Sequence, residues 1–245
     1  MPVARGAFAV VLVLGWGGCK ALDEPFSETF PADGIDRVVI EVESGDITYR
    51  AVDTNEFVVR GTSIGRAFTQ SAAADSNEWS AEIEGDSLQF SGESKGFGAI
   101  NVEIEGPAGV DVEAVTPLGN VTLEGADGVH WVESSFFDGI ALAGQLSATT
   151  LAGMSVEIEP VDPGRVDMTS TGGDVVLAMP YGAPYDFTVT CDEEESYAIT
   201  DLGFDEWNQY DVSFNGVTGS GSILVEVAVE NGFFELREYV DFASE

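Results

Sequence analysis

A tight turn that opens into a strand returns along this chain at nearly constant intervals, and no other feature limits the fold so sharply. Ser44-Gly45-Asp46-Ile47, Leu118-Gly119-Asn120-Val121, Phe137-Asp138-Gly139-Ile140, Gly172-Gly173-Asp174-Val175 and Glu230-Asn231-Gly232-Phe233 are variants of it. A degenerate copy, Leu151-Ala152-Gly153-Met154, is followed by Val156, and the markers Val121, Ile140, Val156 and Val175 then stand 19, 16 and 19 residues apart. Hairpin sandwiches space their turns at about 8 to 12 residues, so the longer period points to stacked coils. One coil is too thin to bury a core, and its inward side chains must rest on the coils above and below. The spacing predicts an inward ladder of Val121, Ile140, Val156 and Val175, with a second rung at Leu123, Leu142, Ile158 and Leu177.

Between the turns the pattern has period two. Val38, Ile40 and Val42, then Ile100, Val102 and Ile104, then Ile223, Val225, Val227 and Val229 alternate with residues that are mostly polar or acidic. Such strands bury one face and wet the other. Only Ile64 to Ala74, with Ala67, Ala72, Ala73 and Ala74, suits a short helix. The fold class is all-β: a single-domain, β-helix-like solenoid over 35–245, with at most one minor helix.

The 44 Asp and Glu against 9 Lys and Arg give a formal charge of −35. A nucleic-acid partner held through its phosphates is therefore excluded. The acids are interleaved with Val, Ile, Phe and Gly, and 44% of residues are apolar, which fits a folded protein with an acidic surface.

The chain begins with a charged Arg5 and an apolar run from Gly6 to Leu14, too short to span a bilayer and suited to a signal peptide at 1–18. Leu14-Gly15-Trp16-Gly17-Gly18-Cys19 resembles the lipobox of bacterial lipoproteins in Gly17, Gly18 and Cys19, while Trp16 stands where an aliphatic residue is usual. That resemblance implies acylation of Cys19, a linker over 19–34, and an anchor in the outer membrane or at the cell surface, since Lys20 is not the aspartate that resembles an inner-membrane retention signal. Cleavage after Ala21 is the alternative, and it leaves a periplasmic or secreted protein.

The ordered turns, with Leu177-Ala178-Met179-Pro180, Tyr181-Gly182-Ala183, Gly219-Ser220-Gly221 and the closing Val227-Ala228-Val229-Glu230-Asn231-Gly232, resemble the putative adhesin family of bacterial envelope proteins. The resemblance runs from about Ile35 to Glu238. It implies a β-solenoid of short strands and assigns no catalytic residues.

Catalytic chemistry finds little material. Cys19 and Cys191 are the only cysteines and His130 the only histidine, which leaves neither a disulfide framework nor the usual zinc ligands. His130 lies between Val129 and Trp131 and reads as a core residue, and Cys191, after Thr188-Val189-Thr190, as a buried strand thiol. Arg165 and Arg237 are the cations a polysaccharide lyase would recruit, and neither sits in an acidic cluster in sequence.

The stretch 192–215 is an acidic, aromatic insertion. Asp192, Glu193, Glu194, Asp201, Asp205 and Glu206 are oxygen ligands for calcium if they converge, and Trp207 with Tyr210 is a platform on which a sugar can stack. The competing reading is a solvated loop whose Phe204 and Trp207 cap the core. Asp75-Ser76-Asn77-Glu78-Trp79 reads as a turn before a strand.

These features lead to a non-catalytic, lipid-anchored envelope module that binds an envelope protein or an extracellular polysaccharide. A structural or regulatory spacer that partners a membrane complex is the alternative, and a carbohydrate-active enzyme the third reading.

Overall fold

The computed structural model describes residues 20–67, 77–94, 98–192 and 196–239. Eighteen strands form one mixed sheet, and no helix occurs among the described residues. Ile64 to Ala67, expected to begin a helix, end the strand β4 (Glu56–Ala67), and the rest of that expected helix lies outside the described residues. The signal segment and Cys19 also lie outside them.

The stretch read as a linker is a strand from its second residue. β1 (Lys20–Pro31) pairs antiparallel with β4 along its whole length, with Leu22 buried. Among the described residues β1 pairs with β4 alone, and such an edge strand tolerates Pro25, which has no N–H.

The middle of the molecule is built from parallel pairs in register. Ile47 of β3 (Ile47–Ala51) lies opposite Val121 of β8 (Asp111–Glu124), and Val121 opposite Phe137 of β9 (Asp127–Thr150). The row continues through Met154 of β10 (Met154–Pro160), Val175 of β12 (Val175–Met179) and Phe234 of β18 (Phe234–Glu238). All six side chains are buried. Two residues on, Tyr49, Leu123, Gly139, Val156, Leu177 and Leu236 form the next row.

A second set of rows runs through Val38 of β2 (Arg37–Val42), Val112 and His130. It continues at Leu146, Val166 of β11 (Gly164–Ser170), Val225 of β17 (Ile223–Val229) and Phe187 of β13 (Tyr185–Cys191). Because β8 and β9 belong to both sets, the strands count as one sheet. Each inward Val, Ile or Leu contributes about 1.5–3 kcal/mol through its burial.

Seven of the eight expected ladder residues are buried, and Ile140 is the exception at 37% exposed. The turn-like Phe137-Asp138-Gly139 is not a corner; it lies inside β9, and Phe137 takes the rung opposite Val121. A register shift follows, with Val156 opposite Gly139 but Ile158 opposite Leu142, and Ala141 has φ 50°. One extra residue in β9 turns Ile140 outward, as a bulge does.

The true corners explain the recurring glycines. A Cβ on Gly119 would lie 1.8 Å from the carbonyl oxygen of Gly45, and one on Gly232 would lie 2.1 Å from that of Gly173. Stacked turns approach too closely for any side chain. The neighbouring Asp and Asn tie turn to turn: Asp46 Oδ1 accepts from the Asn120 backbone N–H at 3.0 Å and from its Nδ2 at 3.1 Å, and Asp174 Oδ1 accepts from Phe233 N–H at 3.0 Å.

Both ends of the stack switch to antiparallel pairing. At one end β4 joins β7 (Ala99–Gly106) and β5 (Asn77–Glu84) joins β6 (Ser87–Ser94). There Phe26 of β1, Trp79 of β5 and Phe90 of β6 close the core, with Phe26 and Trp79 stacked at 4.2 Å. At the other end β13 joins β16 (Ser213–Val217), and β16 joins β15 (Glu206–Tyr210).

Candidate functional site

The 192–215 stretch forms this second end. β14 (Tyr197–Ile199) adds to β18 on one side, while the β15–β16 hairpin adds to β13 on the other. Phe187, Phe204 and Phe214 meet edge to face beneath it, Phe204 and Phe214 at 5.3 Å, and Trp207 stacks on Phe214 at 6.3 Å and 23°. Phe204 therefore caps the core as the loop reading expected. Trp207 does not cover it fully, and stays 58% exposed.

The four described acids of the expected calcium site do not form a ligand group. Asp192 is exposed, and Glu193 and Glu194 lie outside the described residues. Asp201 Oδ1 accepts from the backbone N–H groups of Gly203 and Phe204 at 2.8 and 3.1 Å, which closes a turn. Asp205 Oδ2 accepts from Gly219 N–H at 2.8 Å and so ties the insertion to the next turn. Glu206 is exposed at the start of β15. Among the described residues no three His, Cys, Asp or Glu side chains are grouped as metal ligands would be.

Both expected aromatics, Trp207 and Tyr210, lie on β15, on opposite faces of the strand. All five residues of β15 are exposed, and Tyr210 is 59% exposed. Across from them the Tyr197 hydroxyl donates to the carbonyl of Ser213 at 3.0 Å and also to that of Tyr210, pinning β14 to the hairpin. Tyr197, Trp207, Asn208, Gln209, Tyr210 and Asp211 line an open depression of about 620 Å³. Sequence reasoning missed Asn208 and Gln209; their signal was two carboxamides set between two aromatics on a short strand beside a turn.

The chain matches no known protein family, and no curated protein matches it. Among solved structures it is similar to a putative cell adhesion protein from Clostridium sporogenes, with TM-score 0.47, 13% identity, and 88% of this chain and 100% of that one covered. A putative adhesin from Bacteroides fragilis gives TM-score 0.34 and 5% identity over 88% and 97% of the two chains. One from Parabacteroides distasonis gives TM-score 0.27 and 9% identity over the same shares. At these values the functional reading rests on the chain's own geometry.

The other chemistry-bearing residues are committed elsewhere. His130 is buried, its Nε2 donates to the Ala143 carbonyl at 3.1 Å, and Nδ1 meets no partner, so neither ring nitrogen serves a hydroxyl or thiol. Desolvation holds its pKa below the ordinary histidine value. Burial pushes the Cys191 thiol up, away from thiolate chemistry. Arg165 pairs with Asp167 and Glu226, each at 2.5 Å, and Arg237 with Glu235 at 2.7 Å. These exposed pairs, of which Arg165–Glu226 joins neighbouring strands, relieve local repulsion on an acidic surface.

Proposed function

We propose that the chain is a non-catalytic binding module of the bacterial cell envelope: a two-faced β-solenoid, anchored by a lipid on Cys19, that recognises its partner at the end distant from β1. The parallel rows in register support the stacked-coil form. One observation carries the recognition surface: Trp207 and Tyr210 stand more than half exposed on the terminal strand, over a depression lined by polar groups. Large aromatics left in water beside polar residues are what a binding surface needs and what a core avoids. A rigid stack suits the role because it holds that end away from the membrane. The apolar run before Cys19 supports export and anchoring.

The test uses the full chain carrying Cys19→Ser, with bacterial cells and isolated envelope as targets. Binding should saturate, and Trp207→Ala with Tyr210→Ala should abolish it without changing the melting temperature. Envelope binding that ignores both substitutions would favour the spacer role, and absence of any binding would overturn the reading.

A further inference from the structure

The two ends of the stack are built alike but finished differently. At the first end Trp79 lies parallel to two rings, Phe26 at 4.2 Å and Phe90 at 6.2 Å. At the second end Trp207 has one such neighbour, Phe214, and its remaining surface faces the open depression. Where Phe26 closes one end, the other has no such second ring on Trp207 among the described residues.

We propose that this place is taken by a ring of an uncharged polysaccharide, with the sugar's apolar face on Trp207 and its hydroxyls on Gln209, which shares that face of β15, and on Asp211 beside it. The proposal deepens the binding-module reading and rests on it. The polar groups decide the ligand class. None of the side chains of Asn208, Gln209, Tyr210 and Asp211 makes a hydrogen bond to another described residue. A carboxamide both donates and accepts, as a sugar hydroxyl does, whereas a carboxylate only accepts. Asp201 and Asp205 of the same insertion accept from turn N–H groups. That leaves Asp211 as the one acidic residue in the lining. An anionic polymer is repelled by a chain of formal charge −35, and so is a second copy of this chain. A cationic peptide would need more lining charge than Asp211 provides.

Placement on the strand fits an extended polymer. Alternate residues face opposite ways, so Trp207 and Gln209 share one face of β15 and Asn208 and Tyr210 the other, about 7 Å apart in each pair. Among the described residues β15 pairs only with β16, so its outer edge is open along the whole run.

The experiment titrates the full Cys19→Ser chain with neutral hexasaccharides of glucose, mannose, galactose and N-acetylglucosamine, and in parallel with polygalacturonate and polylysine. Calorimetry and tryptophan fluorescence are the readouts. At least one neutral sugar should bind, with an affinity that varies less than about twofold from 0.02 to 0.5 M NaCl. Trp207→Ala should weaken it by at least about tenfold. Gln209→Ala should weaken it less, and Trp131→Ala, which alters an exposed tryptophan on β9, should leave it unchanged. Cell binding that needs Trp207 while no neutral sugar binds would overturn this proposal and spare the binding module. Polylysine binding that collapses with salt would overturn it in favour of a cationic peptide. No binding to cells or sugars would overturn both.

Discussion

Replacing Phe137 with alanine should unfold this protein far more readily than replacing Ile140, although the turn spacing singles out Ile140. Phe137 is fully buried and lies between Val121 and Met154. Its ring also reaches the next row, where Gly139 leaves room: a Cβ on Gly139 would lie 3.1 Å from Phe137 Cζ and 2.8 Å from Leu142 Cδ1. Phe137→Ala therefore opens a cavity across two rungs. Phe→Ala in a core costs about 3–5 kcal/mol, and this site belongs in the upper half of that range. Ile140 is 37% exposed on the outer face, so Ile140→Ala should cost about 1 kcal/mol. With a urea m-value near 3 kcal/mol/M, a gap of about 3 kcal/mol separates the two midpoints by roughly 1 M. Gly139→Ala should destabilise by about 1–3 kcal/mol, because the space it enters is occupied. Urea titrations followed by circular dichroism and tryptophan fluorescence measure all three. An Ile140→Ala midpoint as low as that of Phe137→Ala would refute the register and return the ladder to Ile140.

Two further outcomes follow from buried and surface charge. His130 has a folded pKa lowered by burial, so below the ordinary value of about 6.5 the unfolded chain takes up a proton that the folded chain refuses. Its contribution is complete above that pH and is lost as pH falls toward the lowered value, by up to about 1.4 kcal/mol per pH unit. Stability measured from pH 7 to 5 should fall more steeply for the native chain than for His130→Gln, and parallel slopes would exclude the histidine as the cause. Screening the excess carboxylates should raise the melting temperature between about 0.02 and 0.3 M NaCl. CaCl2 matched in ionic strength should give the same curve, because Asp201 and Asp205 are held by turn N–H groups; a separate calcium-dependent rise would show a site among the acids.

What was readable in the sequence follows the division between the middle of the stack and its ends. In the middle each strand has a neighbour on both sides, so inward positions must be apolar and tight turns must be small, and both demands leave a mark. Val38, Ile40, Ile223 and Val225 announced their strands, and Gly119 and Gly173 their corners. The one misplaced rung arose because Phe137-Asp138-Gly139 has a corner's composition inside a strand. The glycine there makes room for a phenylalanine ring rather than for a neighbouring turn, and composition cannot separate those two needs.

End strands have a neighbour on one side only, and there the rules relax. β1 carries Pro25, which a central strand would reject, and its stretch was expected to be a linker only because it follows the lipobox cysteine. At the other end Asp201 and Asp205 looked like ligands, since an aspartate that closes a turn and one that waits for a cation have the same letter. Trp207 and Tyr210 were visible as aromatics, but their exposure depends on β15 being the last strand, which is a property of topology and not of local pattern. The same freedom from a second neighbour that hides an end strand from sequence reading leaves its outer edge and its unmatched ring available to another molecule. The last strand of such a stack is therefore where recognition can be added without disturbing the rows that hold the fold together.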